Sequence, residues 1–99
     1  MAVMAAPAMA QEVGNARDGD DLAMAVCSNC HLVREGQRQP PMDSVPSFDA
    51  IARDPVMTDE RVRRFLNRPH WPMPDLGLSR QQIEDEVSYI SELRAALRR

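Results

Sequence analysis

Apolar positions recur with a helical period through the C-terminal part of the chain. The stripe consists of Ile83, Val87, Tyr89, Ile90, Leu93 and Leu97, and the opposite face carries Glu84, Asp85, Ser88 and Ser91. Ser79 precedes this pattern, and Gln82 stands three residues later, which is the spacing of a capping box. The pattern therefore predicts a long amphipathic helix that begins after Ser79 and exposes its charged face to solvent.

Three further helical segments are predicted before it. The first begins near Asn15 to Asp18 and runs through residues 27–31; a short one covers residues 47–52; another starts after Thr58 and ends near Asn67. Residues 32–46 are polar and rich in proline, which predicts a loop. No segment has the alternating pattern of a strand, so the sequence predicts an all-α domain with three main helices and one short helical turn.

Both cysteines of the chain lie in one pentapeptide, C-x-x-C-H, formed by Cys27, Cys30 and His31. This motif is typical of c-type haem attachment. Residues three positions apart share a helix face, so both thiols can form thioethers along one haem edge, while the imidazole offers a nitrogen to iron. A zinc site would need two more ligands, and the sequence supplies only His70. A thiol redox motif or a disulfide would leave His31 unexplained, and no βαβ pattern surrounds Cys27.

Three segments together resemble the small bacterial class I cytochromes c over roughly residues 15–99. They are residues 19–31 with the pentapeptide, residues 69–74 around Met73, and residues 87–93 in the last helix. The resemblance implies a cytochrome c fold wrapped around one covalently attached haem c. It also implies that Cys27 and Cys30 attach the haem and that His31 and Met73 ligate the iron.

The family pattern assigns two supporting contacts as well. It implies that Gly19, eight residues before Cys27, lies where the first and last helices cross, against Tyr89. In the family, a proline carbonyl in the loop after the motif accepts a hydrogen bond from the proximal imidazole. Pro40 or Pro41 is the expected acceptor in this chain.

Met73 is the expected distal ligand among seven methionines. Pro72 and Pro74 flank it and restrict an extended loop between two helices, where the family carries its sixth ligand. His70 is the alternative ligand, because imidazole also binds iron and lies three residues away. Trp71 is expected to pack on a haem edge or to serve as an ordinary core or surface residue.

Composition limits the size of the core and the choice of partners. Ninety-nine residues allow one domain, and a chain of this size buries only about 60–65% of its unfolded surface. With four aromatic residues, the core needs additional stabilisation, which a covalent haem would supply.

The net charge of −3 argues against a nucleic-acid partner. The basic residues are all arginine, so a docking ring of lysines has no counterpart here.

The first ten residues resemble the end of a secretory signal. They are small and apolar and end in Ala8, Met9 and Ala10, an A-x-A pattern that predicts a mature chain starting near Gln11. We therefore divide the chain into a signal-peptide remnant, residues 1–10, and a cytochrome c domain, residues 11–99. The expected location is the periplasm, and no segment approaches the ~20 apolar residues of a membrane span.

With both axial positions filled, the iron would have no open site for a substrate. The sequence therefore predicts an electron carrier and no enzyme, serving a dehydrogenase or reductase and a respiratory complex. Three alternatives stay open at this point: a haem subunit of a larger oxidoreductase, a sensor or peroxidase in which Met73 dissociates, and a thiol oxidoreductase without haem.

Overall fold

The computed structural model describes residues 13–37 and 42–99. These residues form α1 (Ala16–Ala25), a 3-10 turn (Cys27–Asn29), α2 (Phe48–Arg53), α3 (Asp59–Asn67) and α4 (Arg80–Leu97), and none of them belongs to a strand. The all-α prediction with one short helix, α2, is thereby confirmed. The signal remnant, the expected start at Gln11, and both Pro40 and Pro41 lie outside the described residues.

Each α helix begins where a short polar side chain can cap it. The side chains of Asn15, Ser47, Thr58 and Ser79 accept hydrogen bonds from the backbone N–H groups three residues later. At Ser79 the Gln82 side chain also accepts from the Ser79 N–H, which completes the predicted capping box. These local contacts fix where the helices start, independently of tertiary packing.

The first helix is shorter than predicted. It ends at Ala25, and Val26 leaves helical geometry with φ −121° before the separate 3-10 turn of the pentapeptide. Ser28 and Asn29 donate side-chain hydrogen bonds to the carbonyls of Met24 and Val26. These side chains take the place of the backbone N–H groups that would bind the same carbonyls in a continuing helix. The prediction of one helix through residues 27–31 was therefore wrong.

Helices α1 and α4 cross at Gly19 with almost no space between their backbones. A Cβ atom on Gly19 would lie 2.1 Å from the Asp85 carbonyl oxygen and 2.9 Å from Tyr89 Cβ. The expected crossing against Tyr89 is confirmed. Gly14 makes an equally close contact that the sequence did not indicate, since a Cβ there would lie 2.0 Å from the Glu84 carbonyl oxygen.

Asp85 does not lie on the polar face of α4, where the sequence pattern placed it. Its side chain is only 7% exposed and accepts hydrogen bonds from the Asn15 N–H and from Gln81 Nε2, both at 2.8 Å. The close crossing brings the backbone at the start of α1 against this part of α4, and a backbone N–H before a helix has no partner within the helix. Asp85 therefore fastens the N-terminus of α1 to α4.

Arginines attach the remaining helices to α4. Arg94 donates to the carbonyls of Ala52 and Met57 and to Asp59 Oδ1 at 2.7 Å, which ties the α2–α3 connection to α4. Arg63 on α3 forms a two-bond pair with Glu84, with N–O distances of 2.6 and 2.9 Å. The long C-terminal helix thus contacts all three of the other helices.

The buried apolar core is small. Its members are Ala23, Cys27, Val33, Phe48, Ala52, Val62, Ile83, Val87 and Ile90. Phe48 alone among them is aromatic, so the polypeptide itself supplies little apolar area to stabilise the fold. Among the described residues, no helix combines the length and apolar character needed to cross a membrane.

Candidate functional site

The pentapeptide forms a tight turn directly after α1. The N–H groups of Cys30 and His31 both donate to the Cys27 carbonyl, at 3.1 and 2.8 Å, which brings the three motif side chains onto one short segment. Neither thiol is in a disulfide. Cys27 is buried, and Cys30 is half-buried.

The Cys27 thiol is poorly suited to redox exchange. Burial, reinforced by the nearby Glu86 carboxylate, raises the pKa of Cys27 to about 12. Reactive C-x-x-C thiols work instead through a lowered pKa that supplies thiolate near neutral pH. This environment argues against the thiol oxidoreductase alternative.

His31 is held by a carbonyl of the following loop. Its Nδ1 lies 2.7 Å from the Pro46 carbonyl oxygen, so Nδ1 carries the proton and donates, and Nε2 is the nitrogen left to bind a metal. The acceptor is thus Pro46, and the expectation of Pro40 or Pro41 is corrected. The Phe48 N–H donates to the Leu32 carbonyl at 2.9 Å, which draws the residues before α2 alongside the histidine.

Gln37 closes the loop between His31 and the core. Its Nε2 donates to the His31 carbonyl at 2.8 Å, and its Oε1 accepts from the Val33 N–H at 2.7 Å. The Phe48 ring meets the His31 ring edge to face, with 5.5 Å between centroids. Gln37 was not predicted, because a single glutamine in a polar loop carries no signal of such a role.

The loop between α3 and α4 presents the expected distal residues. The Met73 N–H donates to the His70 carbonyl at 3.0 Å, which closes a turn, and the Met73 side chain is half-buried. His70 is exposed and packs its ring against Phe65, with 5.1 Å between centroids. Trp71 is 88% exposed. Ligation of iron by Met73 stays a prediction.

Glu86 is a buried carboxylate whose charge acts on Cys27, and the sequence did not indicate such a role for it. It is 1% exposed, and neither carboxylate oxygen has a hydrogen-bond partner among the described residues. Burial, then the charges of Asp85 and Asp20, raise the pKa of Glu86 to about 8. Its spacing was the available signal, since it stands three residues after Ile83 and four before Ile90, within the apolar stripe.

The sequence comparison agrees with this geometry. Cytochrome c-552 of Bradyrhizobium diazoefficiens is 41% identical over 87 residues, which cover 88% of this chain and 80% of the relative. The chain belongs to the small bacterial cytochromes c. No family model and no solved structure matches it.

The predicted cytochrome c fold and the cofactor, one covalently attached haem c, are confirmed by this membership. The residues of the pentapeptide fit that cofactor. Both thiols are outside any disulfide, and the bond to Pro46 fixes the His31 tautomer that leaves Nε2 for iron. As a c-type cytochrome, the protein transfers electrons.

The buried carboxylate makes the stability of the cytochrome depend on pH. The pKa of Glu86 rises from 4.5 to about 8 on folding, so the folded state holds the proton more tightly, and stability falls as pH rises through this range. We expect the difference in unfolding free energy between Glu86→Gln and the parent protein to grow by about 1.4 kcal/mol per pH unit in that window. Denaturant unfolding at a series of pH values measures it; equal pH dependence in both proteins would contradict this assignment.

Proposed function

We propose that this cytochrome is a periplasmic one-electron carrier in which Cys27 and Cys30 hold the haem and His31 and Met73 ligate its iron. The observation that carries the proposal is the hydrogen bond from His31 Nδ1 to the Pro46 carbonyl, beside two cysteines that form no disulfide. A histidine oriented in this way next to a C-x-x-C pair is the arrangement that proximal haem ligation needs.

The chain's own residues fix the proximal side. The 3-10 turn sets the spacing of Cys27 and Cys30, and the hydrogen bond to Pro46 orients the imidazole and strengthens its Nε2 as a ligand. Gln37 anchors the His31 carbonyl, so the loop that carries the ligand is held from both ends. Bound haem supplies the one-electron iron couple.

Met73 supplies a soft thioether for the distal side. A methionine ligand stabilises ferrous iron and raises the reduction potential relative to a second histidine. Pro72 and Pro74 restrict the loop on either side of Met73. With two protein ligands on the iron, no position is open to a substrate, which favours an electron carrier over an enzyme.

The proposed partners are redox proteins: a dehydrogenase or reductase as donor and a respiratory complex as acceptor. Complexes of this kind are small and short-lived. The net charge of −3 and the absence of lysine favour docking that does not depend on a lysine-rich surface. The proposed periplasmic address rests on residues 1–10 as a signal remnant, with residues 11–99 as the cytochrome domain.

Met73→Ala tests the distal ligand. In protein produced with a c-type maturation system, we expect the variant to lose the weak far-red absorption band of ferric methionine-ligated haem and to show a lower reduction potential. Met42→Ala is the matched control, because Met42 is also a half-buried loop methionine. Retention of the far-red band in Met73→Ala would overturn the ligand assignment.

His70 is expected to replace Met73 when the methionine is lost. The two residues share one turn, and the chain has no lysine, while arginine is too basic to ligate. The candidates from the protein are therefore His70 and the N-terminal amine, and His70 is the one next to Met73. Ferric Met73→Ala should therefore give the electron paramagnetic resonance signature of low-spin iron with two histidines, and adding His70→Ala should abolish it. Identical spectra with and without His70 would contradict the expectation.

A further inference from the structure

Glu86 lies where the two crossing helices bury an acidic group without a partner. Both of its carboxylate oxygens lack hydrogen bonds among the described residues, and the side chain is 1% exposed. On the facing helix, Asp20 Oδ1 is also buried and without a hydrogen bond. Asp20 Oδ2 reaches the surface side and pairs with Arg34 at 3.4 Å. Within residues 13–37 and 42–99, no hydrogen bond explains why a carboxyl group stands at this core position.

We propose that Glu86 is a redox-linked proton site, which binds a proton when the cytochrome accepts an electron and releases it when the cytochrome gives the electron up. This inference rests on the proposed function, because it requires that Cys27 anchors the haem. In each cycle the electron comes from the donor protein and the proton from water, and both leave again on oxidation. The change in charge at the redox centre is thereby balanced at Glu86.

Proximity to the haem anchor couples the two events. The charge of Glu86 contributes to the raised pKa of the buried Cys27 thiol, so the two side chains lie close enough for their charges to interact. Charges interact strongly inside a protein, because the interior has a much lower effective dielectric constant than water. The additional positive charge of the oxidised form favours the Glu86 carboxylate, and its removal on reduction favours the protonated acid.

The surroundings of Glu86 keep its protonated and ionised forms close in free energy. An ionised carboxylate without hydrogen bonds is costly to bury, and the two charges that act on it are also negative: Asp85 on α4 and Asp20 on α1. These effects raise the pKa of Glu86 to about 8. The other titratable or charged groups around this region are Cys27 on the 3-10 turn, Tyr89 on α4, Arg34 after the motif and Asp49 on α2.

Asp20 connects the solvent with the interior near Glu86. Its side chain is 29% exposed, yet one of its carboxylate oxygens is buried. A carboxyl group that reaches both water and the interior can pass a proton inward through rotation.

Reduction potentials measured from pH 5 to pH 10 test the proposal on the mature holoprotein. The potential of the parent protein should fall with rising pH around pH 8, by up to about 59 mV per pH unit, the value for a tenfold change in a one-electron couple. Glu86→Gln should lose that part of the slope. Glu92→Gln is the matched control, because it removes the same charge from an exposed position of α4, and it should keep the slope.

A second variant and a direct readout complete the test. Asp20→Asn removes a charge that disfavours ionisation of Glu86, so the sloping region should move to lower pH. Infrared difference spectra should show the carbonyl band of a protonated carboxylic acid on reduction of the parent protein, and Glu86→Gln should lack it. Equal slopes in the parent protein and Glu86→Gln would overturn the proposal, and so would a sloping region that stays at the same pH in Asp20→Asn. In either case, a normal one-electron couple would leave the proposed carrier function intact. Absence of a reversible couple would overturn both.

Discussion

The double variant Cys27→Ala/Cys30→Ala should give a chain that lacks a cooperative unfolding transition. Both thioethers are lost, and among the described residues the buried apolar core has nine members, of which Phe48 alone is aromatic. A domain of this length buries only about 60–65% of its unfolded surface, so it is marginal without its cofactor. We expect thermal melts followed by circular dichroism to be broad and featureless.

The single variants are the matched controls for the double variant. Cys27→Ala or Cys30→Ala alone removes one thioether and leaves the other cysteine to hold the haem. Each should therefore retain haem and a cooperative transition at a lower melting temperature. A double variant that melts as sharply as the parent protein would show that the helices fold without the macrocycle.

Gly19→Val should strongly destabilise the cytochrome. The first added carbon would lie 2.1 Å from a carbonyl oxygen of α4, and backbone cannot yield as a flexible side chain can. Overpacking typically costs about 1–3 kcal/mol, and we expect a loss at the upper end of that range. For a domain of this size, such a loss lowers the melting temperature by roughly 12–24 °C.

Ala25→Val is the control for Gly19→Val. Ala25 is exposed in the last turn of the same helix, so the control adds the same β-branched side chain without a helix in its way. Melting temperatures of the holoproteins give the comparison. If both variants melted within error of the parent protein, the close crossing of α1 and α4 would not contribute to stability.

Local signals predicted much of this fold. Caps at Ser79 and Thr58 and the stripe of α4 depend on side chains a few residues apart, and the structure has them as expected. The C-x-x-C-H motif likewise contains its candidate chemistry within five neighbouring residues. Asp85 and Pro46 escaped prediction, because their roles depend on contacts with residues far along the chain. Glu86 escaped because a charged residue within an apolar stripe is ordinarily assigned to the surface.

The most direct test of the account is mass spectrometry of the tryptic peptide of residues 18–34 from protein made with a c-type maturation system. Arg17 and Arg34 delimit this peptide, and it contains both cysteines and His31. We expect the peptide mass plus one haem, with both thiols consumed. A peptide with two unmodified thiols or an internal disulfide would contradict it.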